Sequence, residues 1–368
     1  MTHALHTAGG RARRARRLIL AAALAGLAVA VAVPGHSRAA FPGANGTIAF
    51  ERFASGREDG HSAQLFTRAP DGTVRRLTRF AGGAWDPAWS PDGSLVAFER
   101  RHETTHAPDE LFVMNADGSG AHAVTTGCTR AAKCLGDDLP AFSPDGRSIV
   151  FERIYGPIVK RKLRFSDQRG SRETIEQASA VDLMTVGTSG GPPTRLAHWG
   201  LDPQPWDGAP RFSPDGRSIV IALGTASQPS PHSAIGTALH ILDANGANAR
   251  RITPWALGAG NPDWSPDGTR LVFTSEGGHT PFIYTVGADG AGLSQLTRNT
   301  PGRDRFGMQA VWSPDGRQIA FSQSTPGVIT RRFPPPMDLA VMNADGTGVH
   351  VVTSGPALDL MPVWAPVR

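Results

Sequence analysis

Five identical tetrapeptides, Ser-Pro-Asp-Gly beginning at Ser90, Ser143, Ser213, Ser265 and Ser313, place a hydroxyl two residues ahead of a carboxylate. A serine beside an acid could begin a nucleophilic constellation, but a nucleophile needs a base, and no histidine recurs at matching spacing. The same residues are turn chemistry. Proline fixes φ at the second position, aspartate bonds local backbone, and glycine accepts the left-handed state. Five copies favour architecture over five active sites. "GTSGG" at 187–191 fits the G-x-S-x-G elbow of hydrolases, which requires a strand-to-helix turn. Here it stands at a hairpin-turn position and runs into Pro192-Pro193, so Ser189 is not expected to be a nucleophile.

Other groups could bind rather than react. Asp137, Asp207 and Asp359 each lie three residues before an aligned proline, with Asp86 and Asp138 close by. At the mouth of a channel such carboxylates could hold Ca²⁺ or attract a cationic group; alternatively they cap backbone N–H groups. No other cofactor is expected. His61, His102, His106, His198, His232 and His279 are weak candidates for a metal site, because no pair has a ligand spacing fixed by a helix or strand. Lys160, Arg161, Lys162 and Arg164 form a dense positive run, either a recognition flap for an acidic protein or glycan or a solvated loop. Cys128 and Cys134 are expected to form a local disulfide in an exported protein. No Walker loop, dinucleotide fingerprint or zinc motif is present.

The elements that must position these groups are repeats. The turn glycines at 93, 146, 216, 268 and 316, with Gly46 of "NGTIAFER", are spaced by 47, 53, 70, 52 and 48 residues. That is the period of a propeller blade. Each unit reads as four short strands: P-x-(W/F)-S, (I/L)-V-F, L-F-V-M and a last strand ending in Thr. Strong β-formers bounded by Pro, Gly, Asn and Asp predict a four-stranded antiparallel meander. The first unit lacks its P-x-W-S strand, and the chain finishes with "DLMPVWAPVR", which supplies it. The expected fold is all-β, a six-bladed propeller whose first blade is completed by the C-terminal strand. Closure leaves no free sheet edge.

These repeats resemble those of the TolB family, the periplasmic partner in the Tol–Pal envelope system, over residues 41–368. The resemblance implies the propeller portion only, without the globular domain that precedes it in that family. Similar repeats occur in dipeptidyl-peptidase-like enzymes and oligogalacturonate lyases, so fold alone assigns no activity.

Topology sorts the loops. The S-P-D-G and N-A-D-G turns belong on one face. The variable segments 52–63, 101–109, 154–181, 224–237, 275–280 and 323–336 belong on the other, where binding is expected.

Residues 1–39 have the layout of a cleaved signal peptide, with six arginines, no acid and a 16-residue apolar run. Arg16-Arg17 also resembles a twin-arginine motif. Cleavage after Ala39 leaves 31 basic against 32 acidic residues, so the basic charge belongs to the export signal and a nucleic-acid partner is not expected. The expected protein is a periplasmic, envelope or secreted propeller (40–368) with no transmembrane anchor after cleavage. It is read as a non-catalytic module for a protein or envelope component. The alternative is a polysaccharide lyase or peptidase-like enzyme with a metal-assisted site at the channel mouth.

Overall fold

The computed structural model describes residues 41–53, 63–102, 107–164, 172–206, 208–229, 235–277, 281–298, 307–324, 337–355 and 357–367. They form six antiparallel blades around an axis, as expected. Blade 1 is built from both ends of the chain: the innermost strand Leu358–Val367 pairs with Ala44–Phe53, putting Ile48 opposite Trp364. The innermost strands of blades 2, 3, 5 and 6 are Ala84–Trp89, Cys134–Phe142, Ala259–Trp264 and Gly307–Trp312. Blade 4 carries its innermost strand in two pieces, Gln204–Pro205 and Arg211–Phe212.

The S-P-D-G segments are turns, and their side chains are spent inside them. In each copy the serine Oγ donates to the aspartate Oδ1 at 2.6 Å. The same Oγ accepts the N–H five residues on at 2.9–3.0 Å. At roughly 1 kcal/mol net per hydrogen bond, these contacts fix the hairpin. The glycines at 93, 146, 216, 268 and 316 have φ between 69° and 71°, where a Cβ is strained. A Cβ on Gly146, Gly216, Gly268 or Gly316 would lie 3.5–3.7 Å from the turn proline of the preceding blade, so the turns abut around the ring.

The second strand of each blade carries one wholly buried apolar residue in register: Phe50, Phe98, Phe151, Ile221, Phe273 and Phe321. Because strand side chains alternate, the next residue points the other way. There stand Glu51, Glu99, Glu152, Ala222, Thr274 and Ser322. The innermost strands share a second irregularity. Asp86, Leu139, Ala209, Asn261, Gln309 and Met361 all have φ between 42° and 57°. Register breaks beside them in blades 2, 3, 5 and 6 mark a β-bulge before the aligned proline or alanine.

The basic stretch is not a plain loop: Val159–Arg164 pairs with Arg172–Gln177 as a two-stranded ribbon. Cys128 and Cys134 are disulfide-bonded.

Candidate functional site

The bulge residues Ala209, Asn261, Gln309 and Met361 line the axial cavity, and the bulge N–H groups of Asp86, Gln309 and Met361 are satisfied from the neighbouring blade. Glu51 Oε1 accepts the N–H of Asp86 at 2.6 Å, and Thr274 Oγ1 accepts that of Gln309 at 2.8 Å. Ser322 is too short to reach onward. It donates to Gln309 Oε1 at 3.1 Å, and that oxygen accepts the N–H of Met361 at 3.0 Å. Asp263 Oδ2 likewise accepts the N–H of Trp312 at 2.8 Å. The polar position after the buried phenylalanine therefore joins blade to blade.

In blades 1 to 3 that position is glutamate each time, and the result exceeds what joints require. Glu51, Glu99 and Glu152 are buried, while Asp86 and Asp138 are half-buried. Burial, then the charge of Asp86, holds Glu51 well above the ordinary glutamate value. Burial also raises Glu99 well above it, against the pull of Arg101. Asp138 is raised strongly by burial and then by Glu152, Glu99 and Asp86. Asp86 is raised by burial, although a hydrogen bond with Glu99 opposes this. Among the described residues, two cations face these five acids. Arg101 Nε donates to Glu99 Oε1 at 2.6 Å, its guanidinium lying 3.9 Å from the Trp85 ring centroid. Arg211 sits at the channel waist, its nearest charges being Asp263, Asp86 and Glu152, and burial lowers its pKa. Glu99 Oε2 and Asp138 Oδ1 are buried without a hydrogen-bond partner. Lost hydration that no partner replaces costs about 1–3 kcal/mol per group.

The axis beside Arg211 is open at two levels, and the five acids stand behind the residues that line it. A cavity of about 20 Å³ on the loop-rich side is lined by Pro87, Asn261, Gln309 and Met361 among others. A cavity of about 60 Å³ lies toward the tight turns, and the two share Arg211, Val311 and Val363.

The carboxylates expected at the mouth divide into two sets. Asp137 is fully buried and takes both Nε and Nη2 of Arg153, at 2.6 and 2.8 Å. Asp359 takes Arg52 in the same bidentate way, at 2.7 Å twice. Both pairs clamp the innermost strand to its neighbour and leave no free carboxylate. Asp86 and Asp138 instead join the acid sector, and Asp207 lies outside the described residues. Glu51, Glu99, Glu152, Arg101, Arg211 and Asp263 were missed from sequence. The signal was the thrice-repeated "FER" at 50–52, 98–100 and 151–153, an acid at an inward strand position.

Of the six candidate histidines, only His102 and His198 fall among the described residues, and they have separate partners. His61, His106, His232 and His279 lie outside the described residues. His102 Nε2 lies 3.4 Å from Glu110, and His198 Nδ1 2.5 Å from Asp182 Oδ1. Among the described residues, Cys128, Cys134 and Asp137 are the one trio of possible ligands close enough to share an ion. The disulfide and the Arg153 clamp occupy all three. Lys160 is exposed, and Arg161 is tied to Gln177 at 3.2 Å and to Asp202 at 3.8 Å. Lys162 and Arg164 lie on the same ribbon strand. The GTSGG segment is a hairpin turn, with Gly190 N–H donating to the Gly187 carbonyl, not an elbow.

Residues 203–368 match the TolB beta propeller domain family. The six-bladed propeller is similar to that family. Its sequence is 36% identical over 104 residues to the Tol-Pal system protein TolB of Anaeromyxobacter dehalogenans strain 2CP-C, covering 28% of this chain and 21% of that protein. The match thus spans about a fifth of that relative's length. Crystalline TolB from Acinetobacter baumannii superposes with a TM-score of 0.60 at 17% identity, over 87% of this chain and 67% of that one. The tricorn protease also superposes, with a TM-score of 0.51 at 16% identity, over 84% of this chain and 26% of the protease. At such identities the likeness is one of fold, shared by a Tol–Pal component and an enzyme. No helix among the described residues is long and apolar enough to cross a membrane.

Proposed function

We propose that this TolB-like propeller is an exported binding module whose acidic channel wall, reached from the loop-rich face, holds a cationic segment of a cell-envelope partner. One observation carries the reading. Among the described residues, five carboxylates of blades 1 to 3 face two arginines, and the oxygens Glu99 Oε2 and Asp138 Oδ1 have no hydrogen-bond partner. A guanidinium or ammonium group from outside would neutralise and hydrogen-bond what the fold leaves incomplete. Export rests on the arginine-rich, apolar layout of residues 1–39.

The test is photo-crosslinking in envelope extract from two exposed positions. Leu201 lies beside the ribbon on the loop-rich side, and Val349 follows a tight turn. A defined partner captured from Leu201 and not from Val349, and lost with Glu99→Gln/Asp138→Asn, supports the proposal. Capture from Val349 alone contradicts it. So does displacement of the partner by Ca²⁺ with no basic residue at the crosslink, which would make these carboxylates a calcium site instead.

The enzymatic reading has one observation in its favour, the His198–Asp182 pair at 2.5 Å, a geometry used by general bases. Cleavage of uronate polymers or peptides by the wild type, lost in His198→Ala, would establish it.

A further inference from the structure

The chain segment ahead of blade 1 crosses the tight-turn mouth of the channel. Gly43 is anchored at blade 6, its N–H donating to the Pro314 carbonyl at 3.2 Å. Two residues earlier, Phe41 is buried against Ala88 of blade 2 and Phe142 of blade 3, on the far side of the mouth. The cavity beneath Phe41 takes wall residues from every blade, including Trp89, Phe142, Phe212, Asp263, Trp312 and Trp364. The crossing is built into the sequence. A Cβ on Gly43 would meet the Val367 carbonyl oxygen at 2.8 Å, so only glycine passes there. Asn45 then stitches the segment to blade 6, its Oδ1 accepting the Asp315 N–H at 3.2 Å.

We propose that the tight-turn end of the channel is a binding site for an aromatic side chain and that the chain's own Phe41 fills it. The channel is then closed at that end, and a ligand enters from the loop-rich mouth alone. The aromatic wall is what such a side chain selects, because ring edges and faces pack favourably on one another. With cleavage after Ala39, the plug is the second residue of the mature chain, close to a free amino end. This inference goes beyond the partner-binding reading and stands or falls without it.

The test uses protein of residues 40–368 and a truncated form beginning at Gly43. The truncated form is titrated with the peptide amides Ala-Phe-Pro-Gly and Ala-Ala-Pro-Gly, following tryptophan fluorescence and Tm. Binding of the phenylalanine peptide at least about tenfold tighter than the alanine one, with recovery of the melting temperature, is expected. In the intact form, Phe41→Ala should bind indole, as an emptied aromatic pocket does, while the wild type does not. Equal affinity for the two peptides overturns the proposal, as does indole binding by the wild type equal to that of Phe41→Ala. Should Phe41→Ala not fold, the peptide comparison decides alone.

Discussion

Asp138 and Glu152 stand opposite each other on adjacent strands of blade 3, two carboxylates at one register position. The preceding pair along the same strands is Asp137 and Arg153, bound by two short hydrogen bonds. Adjacent positions thus hold a satisfied ion pair and a pair of like charges in which Asp138 Oδ1 has no hydrogen-bond partner. The first is framework, and the second is where an external cation gains most.

Like charges opposed across a ladder destabilise it. Asp138→Asn should therefore raise stability at pH 7 by about 1–2 kcal/mol, read from urea unfolding. A loss of similar size would show that Asp138 is already satisfied.

The clamps behave oppositely. Asp137→Ala leaves the buried Arg153 guanidinium without its carboxylate and should cost about 3–5 kcal/mol. The Asp137→Ala/Arg153→Met double variant should recover part of that loss. Arg100 shows why: opposite it in blade 2 stands Ala84, and its guanidinium lies over Phe80 and Phe112 instead, at 5.2 and 5.1 Å from the ring centroids.

Two families of acid give the pH profile two sides. Burial pushes Asp263 up to about 6 from an ordinary 3.8. Between those values the folded state holds a proton the unfolded state has lost, so stability falls as pH rises through the window. Over about two pH units this amounts to roughly 3 kcal/mol. The turn aspartates Asp92, Asp145, Asp215, Asp267 and Asp315 are held low; burial opposes this, and their serine and backbone hydrogen bonds outweigh it. Their contribution is present above the ordinary value and lost as pH falls below it. The melting temperature should therefore peak near about pH 4 and fall between about pH 4 and 6, and Asp263→Asn should lessen that fall without changing the acid flank.

Gly216 has φ 71°, so Gly216→Ala should cost about 1–2 kcal/mol in thermal unfolding without altering partner capture. Reduced capture at equal stability would place function on the tight-turn face.

The blades were legible because S-P-D-G and N-A-D-G are local chemistry. Each S-P-D-G turn contains its own hydrogen-bond partners, so five units could be counted from letters alone, and Gly46 of NGTIAFER marked the sixth. The join of Leu358–Val367 to Ala44–Phe53 followed from one missing strand and one surplus strand. The acid sector was harder to see. Asp137 and Asp359 look like Asp138 in sequence, and only register decides which acid meets an arginine. Arg52 and Arg153, each ending an "FER", supply that distinction. Glu51, Glu99 and Glu152 face a neighbouring blade, a contact between residues some 35 or more positions apart, as Glu51 and Asp86 show. Spacing along one strand cannot report such a pair.

A cation that binds these raised carboxylates must displace their protons, so affinity should tighten as pH rises. The most direct measurement is the affinity of the crosslinked partner segment at pH 6 and pH 8, for the wild type, Glu99→Gln/Asp138→Asn and Asp117→Asn. Tighter binding at pH 8, proton release on binding, loss in the double variant and retention in Asp117→Asn are predicted. Affinity independent of pH and unchanged when the two channel carboxylates are neutralised would contradict the account.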